Sequence, residues 1–401
     1  MNYQYIKSQF IRIEVILLVA FILRLLWALM VPIQPVADSV TYNELARNIL
    51  SGRGYAFDGG GLTAYWPVGA SFTYAVLYKM FGLSFLPVMC FNIILGVSIV
   101  WLTYAISLRD LGPRAAVLAA WLVATWPILI QYTTILASEL LFIFLVLSAL
   151  YVWGNRRIPN ILRAVLWGAL VCGATYARPT ALPLLPILPV LQWFAQRDLR
   201  AALISLFVAT ISASIFFSPW VYRNYQVFGG FVLVATNSGA NLWMGNNPES
   251  TGAYMPLPEK DFENEILMDQ YFKKLAVDFI KENPLTYAKL ALNRTLITYK
   301  SETIGVEWNK NMLEYRFGKI VLLPLKIVST AYWLAMLTLG LAGLYFLLKK
   351  RDLDILHPLL SVPAFFFIIP ILTVGQDRYH VPLDPLIAII AGYAIHSFLA
   401  K

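Results

Sequence analysis

Charge is the scarcest property of this sequence. Only 13% of the residues are Asp, Glu, Lys or Arg, while 59% are hydrophobic. A soluble domain carries about 25% charged residues. The apolar residues fall in runs long enough to cross a bilayer, which takes about 20 residues per helix. The composition therefore argues against an ordinary soluble enzyme and predicts an all-α polytopic membrane protein.

Cysteines and the signature motifs of soluble enzymes are also scarce. Cys90 and Cys172 both lie inside apolar runs, so we expect packing residues rather than a disulfide or metal ligands. The sequence has no Walker loop, no HExxH zinc motif, no nucleophile elbow and no internal repeat. The net charge of +9 does not indicate a nucleic-acid partner, because membrane proteins gather Lys and Arg in cytoplasmic loops.

The apolar runs predict about ten transmembrane helices. The predicted spans are 15–31, 84–108, 115–132, 140–153, 161–177, 180–194, 201–221, 321–348, 355–374 and 381–399. The sixth is rich in proline and can instead be a broken or re-entrant helix. This divides the chain into an N-terminal transmembrane module, 1–221, an extracytoplasmic segment, 222–317, and C-terminal transmembrane helices, 318–401. The N-terminus lacks a small-residue cleavage site, so we expect the first span to be retained.

Lys and Arg are concentrated in alternate connections between these spans. Examples are Arg109 and Arg114, Arg156 and Arg157, Arg197 and Arg200, and Lys349, Lys350 and Arg351. The positive-inside rule places these connections and both termini in the cytoplasm. The first loop (34–69), Glu139, Arg178, the segment 222–317 and Arg378 are then predicted to share the outer face.

The first outer loop, 34–69, combines a short helix with a glycine-rich stretch. Asp38 or Ser39 can cap the helix, Thr41 and Glu44 have capping-box spacing, and Gly52 is expected to end it. The glycine-rich half then closes on Trp66 and Pro67. An acid at a membrane boundary, backed by a short surface helix and a pliable aromatic loop, can serve as a site rather than a linker, depending on what surrounds it.

The two acids at predicted outer helix ends each allow two interpretations. Asp38 can be a general base in a partly desolvated cleft, or only a helix cap. Glu139 can be a helix-dipole acid, or a second acid that faces the same cleft and holds a metal ion or an acceptor hydroxyl.

Arginines also lie at the predicted outer ends of spans. Any one of Arg178, Arg223 and Arg378 can simply reach the lipid headgroups. Together they would suit a phosphate, which guanidinium groups bind in bidentate fashion. Arg24 lies within the first span, where a charge is costly and predicts a functional or pairing role.

The long outer segment has two parts. The residues from Arg223 to Pro258 are predicted to be loop-like, and those from Glu259 to Lys300 helical with a break at Asn283-Pro284. This pattern predicts a helical cap against the outer membrane surface.

Several short motifs carry a resemblance to a known superfamily. They are Asp38 with Tyr42, Gly52-x-Gly54-Tyr55, Trp66-Pro67-x-Gly69, Ser138-Glu139, Ala177-Arg178-Pro179, Pro219-Trp220-x-x-Arg223, Gly245-Asn246-Asn247-Pro248 and Arg378-Tyr379-x-x-Pro382. In this order the sequence resembles the GT-C glycosyltransferases. The resemblance is to the bacterial branch related to protein O-mannosyltransferases and the lipid A aminoarabinose transferase.

The resemblance implies an enzyme of the bacterial inner membrane that works on the outer face. It would take a hexose or pentose from a polyprenyl-phosphate donor and pass it to a glycan, lipid or protein acceptor. Asp38 and Glu139 would be the catalytic acids and, if a divalent metal ion is used, its ligands. The donor phosphate would be bound by Arg178, Arg223, Arg378 and Tyr379, and the substrate loop would carry Tyr42, Tyr65 and Trp66.

Three other classes of function remain open from the sequence. If the protein were a flippase or transporter, we would expect internal repeats in the sequence and acids or interrupted helices at mid-membrane. An O-antigen polymerase or ligase predicts arginine-dominated outer loops instead of an acid in the first one. A non-catalytic scaffold follows if Asp38 is only a cap.

Overall fold

The chain folds into helices joined by mostly short connections. The computed structural model describes residues 3–399, and the side chains of 13–399. This part of the chain has no named strand and two isolated β-bridges. The helices are α1 (Tyr3–Met30), α2 (Asp38–Leu50), α3 (Val68–Phe81), α4 (Phe85–Leu111), α5 (Pro113–Ala124), α6 (Pro127–Gln131), α7 (Glu139–Gly154), α8 (Asn160–Ala177), α9 (Leu184–Gln196), α10 (Leu199–Phe228), α11 (Ser238–Gly245), α12 (Glu265–Glu282), α13 (Pro284–Tyr299), α14 (Ile304–Trp308), α15 (Lys310–Phe317), α16 (Leu322–Lys350), α17 (Pro358–Leu372) and α18 (Asp384–Leu399).

Six helices in the described part are long and apolar enough to cross a membrane. They are Ile13–Met30, Phe85–Leu111, Asn160–Ala177, Leu199–Phe228, Lys319–Lys350 and Val381–Leu399. A seventh candidate is the pair α5 and α6, which bends by 54° between Ala124 and Pro127. The polytopic helical class is therefore confirmed, but the predicted number of ten spans is not reached by this criterion. Helices α7 and α17 are apolar but shorter, and the proline-rich sixth run forms only the 13-residue α9.

Helix α3 is an element that the sequence analysis left unassigned. It packs against α2 and against the end of α8. Gly69 makes the second contact possible, because a Cβ atom there would lie 2.7 Å from the backbone of Tyr176. The α2–α3 pair thus presses the first loop against the helix end that leads into Arg178.

Helix α18 is the most enclosed of the six long apolar helices, with 83% of its apolar stretch buried. It packs closely against α5 and α16. Gly392 and Gly343 allow these approaches, because Cβ atoms there would lie 2.8 Å from the Ala115 carbonyl oxygen and 2.2 Å from that of Ile390. Small residues of this kind let membrane helices approach closely. The residues just before α18 are therefore held on the central helix of the bundle.

Arg24 has a partner that the sequence could not identify. Its side chain is fully buried and donates to the carbonyl oxygens of Ala124 at 3.2 Å and Val123 at 3.4 Å. These carbonyls end α5 at the bend, where a helix leaves acceptors unpaired and carries partial negative charge. Arg24 therefore stabilises the broken α5–α6 span.

The long segment after α10 is more helical than predicted. Helix α10 continues to Phe228, and α11 lies within the stretch predicted to be a loop. The predicted break at Asn283-Pro284 is confirmed, because α12 ends at Glu282 and α13 begins at Pro284. Arg294 on α13 joins this segment to the bundle by donating to the Gly245 and Ile371 carbonyl oxygens, each at 2.6 Å. The placement of the segment 222–317 against the outer membrane surface stays a prediction.

Candidate active site

Asp38 is the first residue of α2, and its side chain does not cap that helix. The N-cap position is Ala37, with φ of 48°, a region that residues other than glycine rarely adopt. No side-chain capping bond is present there, so the predicted capping role of Asp38 or Ser39 is wrong. The predicted capping box is wrong as well, because the Glu44 carboxylate accepts from the Asp58 backbone N–H at 2.5 Å.

The Asp38 carboxylate belongs instead to a cluster of four alternating charges. The Arg378 Nη1 atom donates to Asp38 Oδ2 at 2.5 Å and lies 4.0 Å from Glu139 Oε1. The same Glu139 oxygen accepts from Nη2 of Arg178. All four side chains are mostly buried, and that of Glu139 is only 1% exposed. We call this group, Asp38, Arg378, Glu139 and Arg178, the charge cluster.

Three members of the charge cluster lie at helix ends, and the fourth, Arg378, lies in a connection between helices. Glu139 begins α7, Arg178 follows α8, and Arg378 lies between α17 and α18. These helix ends meet at one end of the bundle, so residues distant in the sequence come together. The structure thus brings together Asp38, Glu139, Arg178 and Arg378. The sequence predicts these four residues in one cleft on the outer face. Their chemical roles stay predictions.

Neighbouring polar and aromatic groups orient the arginines. Gln376 Oε1 accepts from Arg378 Nε at 2.7 Å, and the Trp308 ring lies 5.0 Å from the Arg378 guanidinium. Tyr379 lies beside both arginines, with its ring centre 5.6 Å from Arg378 and 5.9 Å from Arg178. Gln376 and Trp308 were not predicted, since no local motif marks them. Such contacts hold the guanidinium groups in fixed orientations.

Two further groups complete the surroundings of Glu139. The Tyr132 hydroxyl donates to Glu139 Oε1 at 3.2 Å, and Ser138 Oγ accepts from Arg178 Nε at 3.0 Å. Glu139 Oε2 is buried and has no hydrogen-bond partner among the described residues. A buried acceptor without a partner costs free energy, so this oxygen is available for a further hydrogen bond.

The electrostatics of the cluster fix two protonation states. Burial alone would lower the pKa of the Arg378 guanidinium, but the charge of Asp38, with Tyr379 and Glu139, raises it well above the ordinary value. Burial, together with Asp38 and Glu139, raises the pKa of Tyr42 to about 12. Arg378 therefore stays charged, and the Tyr42 hydroxyl stays protonated at neutral pH.

Arg223 lies apart from these contacts. It donates to the backbone oxygens of Thr63 at 2.8 Å and Tyr55 at 3.0 Å, and it stacks on Trp220 at 4.9 Å. Its phosphate-binding role is still a prediction, whereas the contacts here fix the shape of the first loop. Glu265 on α12, which the sequence analysis did not single out, fixes the same loop by accepting from Thr63 Oγ1 at 2.5 Å.

The three aromatic residues predicted for the substrate loop form one continuous group. The Trp66 ring lies 5.6 Å from that of Tyr42 and 6.2 Å from that of Tyr65, both edge-on. Tyr65 and Tyr379 both pack against the same buried cluster, which contains Met244. The group therefore connects the loop to the neighbourhood of the arginines, although its contact with substrate is untested.

The proposed metal ligands Asp38 and Glu139 do not fit a shared metal ion in this arrangement. One Arg378 nitrogen lies within 4.0 Å of both carboxylates and already supplies the positive charge between them. The guanidinium group therefore occupies the position between the carboxylates that a shared metal ion would need.

Comparisons with known proteins agree with this architecture. Residues 66–222 match a family model described as dolichyl-phosphate-mannose-protein mannosyltransferase. No curated protein matches the sequence. Among solved structures, the apo oligosaccharyltransferase of Archaeoglobus fulgidus has a TM-score of 0.62 at 15% identity, over 100% of this chain and 52% of that one. The same archaeal enzyme, AglB, in complex with an inhibitory peptide and a dolichol-phosphate also gives 0.62, at 14% identity over 100% and 51%.

A bacterial structure is similar as well. ArnT from Cupriavidus metallidurans, bound to undecaprenyl phosphate, has a TM-score of 0.46 at 13% identity, over 98% of this chain and 78% of that one. The chain spans about half the length of AglB. The chain shares the fold of this archaeal oligosaccharyltransferase, which agrees with the GT-C-like fold that the sequence resemblance predicts. A shared fold does not by itself establish an activity, which has to be argued from the site.

Proposed function

We propose that this chain is a membrane glycosyltransferase. It would move a sugar from a polyprenyl-phosphate donor to an acceptor hydroxyl on the extracytoplasmic face of the bacterial inner membrane. The observation that carries the proposal is the charge cluster, in which two buried guanidinium groups and two carboxylates alternate. The guanidinium groups suit a phosphate leaving group, and the carboxylates suit an acceptor hydroxyl that must lose a proton.

The arginines are suited to the leaving phosphate. When the bond between the anomeric carbon and the phosphate oxygen breaks, negative charge develops on the phosphate. Preoriented guanidinium groups stabilise that charge more in the transition state than in the ground state. Without substrate, Arg378 and Arg178 are occupied by Asp38 and Glu139. Since a guanidinium has five N–H donors, each can contact a phosphate while keeping a carboxylate partner.

Asp38 is suited to be the general base. As the acceptor oxygen bonds to the anomeric carbon, its proton passes to the Asp38 carboxylate. The hydrogen bond from Arg378 orients the Asp38 carboxylate toward this role. Glu139 Oε2, which has no hydrogen-bond partner among the described residues, would orient the acceptor hydroxyl.

The lipid character of the donor is supported by two further facts. The charge cluster lies where the ends of apolar helices meet, so a lipid-linked donor could enter laterally between them. A structure with the same fold, AglB, was determined with a dolichol-phosphate. The acceptor, whether glycan, lipid or protein, is not specified by these observations.

Purified protein in proteoliposomes is the direct test. Radiolabelled sugars on polyprenyl phosphate, both hexoses and pentoses, would be supplied with membrane extract as the acceptor source. We expect protein-dependent loss of the label from at least one lipid donor and none from nucleotide sugars. Turnover of a nucleotide sugar but of no lipid-linked donor would contradict the proposal.

The orientation can be tested by labelling. Glu263 lies in the exposed stretch before α12. In a background without Cys90 and Cys172, a Glu263→Cys variant is expected to react with a membrane-impermeant maleimide added to intact spheroplasts. The control is Arg156→Cys, in a predicted cytoplasmic connection, which should react only after lysis. The opposite pattern would place the segment 222–317 in the cytoplasm.

A further inference from the structure

A second group of ionisable side chains is buried inside the protein, and one of its members, His380, follows Arg378 by two residues. Glu302, His380 and Asp384 have no exposed surface, and one ligand atom from each lies within 4.8 Å of the other two. They come from three places: the connector after α13, the turn before α18, and the first residue of α18. No step of the proposed transfer uses them.

The orientation of His380 defines which of its nitrogens faces the acids. Its Nδ1 atom lies 2.9 Å from the Thr298 carbonyl oxygen, which can only accept, so Nδ1 carries a proton and donates. The other nitrogen, Nε2, lies 3.3 Å from Glu302 Oε1. Trp333 stacks on the ring at 4.0 Å and fixes its plane. When only Nδ1 is protonated, Nε2 carries a lone pair and can only accept. A carboxylate oxygen can also only accept, so a proton or a cation must lie between Nε2 and Glu302.

Asp384 adds a second carboxylate, and this one lacks a positively charged or hydrogen-bonding partner within the part of the chain whose side chains are described. Both of its carboxylate oxygens are buried without a hydrogen-bond partner among the described residues. One proton shared by His380 and Glu302 would satisfy that pair but leave Asp384 alone. Buried charged or polar groups without partners are costly. A single divalent cation would satisfy all three side chains at once.

We infer that Glu302, His380 and Asp384 bind one divalent transition-metal ion, with Zn²⁺ as the expected occupant. Imidazole nitrogen and carboxylate oxygen are both ligands that zinc accepts. A ligating histidine usually donates its other N–H to a carbonyl, as His380 does to Thr298. Trp126 Nε1 donates to Glu302 at 3.0 Å, which orients that acid in the same way.

The position of the site gives the ion a structural role. His380 follows Arg378 by two residues, and Glu302 lies in the connector next to Thr303. Asp377 Oδ2 already joins these two stretches by accepting from Thr303 Oγ1 at 2.8 Å. The ion would tie the connector to the start of α18 and so hold Arg378 in place. This inference is independent of the proposed transfer reaction.

The test is metal content and thermal stability of the full chain in detergent. Protein stripped with a chelator would be reloaded with Zn²⁺ alone and analysed by mass spectrometry. We expect about one ion per chain, a melting temperature that falls on stripping and returns with Zn²⁺, and d–d absorption after loading with Co²⁺. Asp384→Asn is expected to weaken Zn²⁺ binding at least about tenfold. Asp377→Asn, in the same stretch but outside the three ligands, should keep the ion.

Two results would overturn the inference. Wild-type protein that binds no Zn²⁺ and melts at the same temperature with and without chelator would show that protons balance the three residues. An ion lost in Asp38→Asn but kept in Asp384→Asn would place the metal at the charge cluster. Because stripping and reloading use the wild-type chain, the test does not depend on a variant that folds.

Discussion

Replacing Asp38 with Asn is expected to lower sugar transfer by about 10²–10⁴-fold, the usual cost of losing a general base. Asn has the same size, and its side-chain oxygen can still accept from Arg378. The amide cannot take the proton of an acceptor hydroxyl. Loss of a helix cap cannot explain the effect, because the Asp38 side chain makes no capping bond. The loss of transfer is measured from initial rates of the wild type and the variant with a polyprenyl-phosphate sugar donor.

A matched control lies in the same loop. Asp58 is exposed, and Asp58→Asn removes an equal charge without touching the charge cluster. Its transfer rate should stay close to that of the wild type, and melting curves of both variants report whether the fold survives. Near-normal transfer by a well-folded Asp38→Asn variant would remove Asp38 from the mechanism and make Glu139 the leading candidate.

Replacing Arg378 with Lys is expected to lower kcat by about 10²–10³-fold, as removal of a preoriented donor to developing charge does elsewhere. Lysine keeps the positive charge but lacks the planar fork that contacts Asp38 and Gln376 together. The loss should therefore fall on kcat rather than on KM alone. Steady-state kinetics over a range of donor concentrations separate the two.

Arg47→Lys is the control for that substitution. Arg47 lies exposed on α2, close to the loop but outside the charge cluster. It should leave both kcat and KM nearly unchanged. If Arg378→Lys raised only KM, Arg378 would bind donor and transition state equally, and stabilisation of the leaving phosphate would have to come from Arg178.

The parts of the fold that sequence could predict are those that depend on local chemistry. Hydropathy marked the positions of the long helices, because only internally hydrogen-bonded helices satisfy their backbone within lipid. Gly52, with φ of 82°, follows the end of α2, and Pro284 begins α13, as their backbone preferences require. Four of the residues suggested for the site, Asp38, Glu139, Arg178 and Arg378, lie together.

The parts that sequence missed depend on contacts between distant residues. Asp38 and Arg378 are 340 residues apart, so no local pattern shows that the acid pairs with an arginine instead of capping its helix. The same holds for Arg24, whose acceptors lie at the end of α5. Helix α3 was missed because its 14 residues are too few for a span and follow a glycine-rich loop.

The most direct measurement is the position of a bound lipid phosphate, determined by electron cryo-microscopy of the wild-type chain with polyprenyl phosphate. We expect phosphate oxygens within about 2.7–2.9 Å of guanidinium nitrogens of Arg378 or Arg178, beside the Asp38 carboxylate. A phosphate ordered elsewhere, with both guanidinium groups beyond the reach of a charge-assisted hydrogen bond, would contradict it.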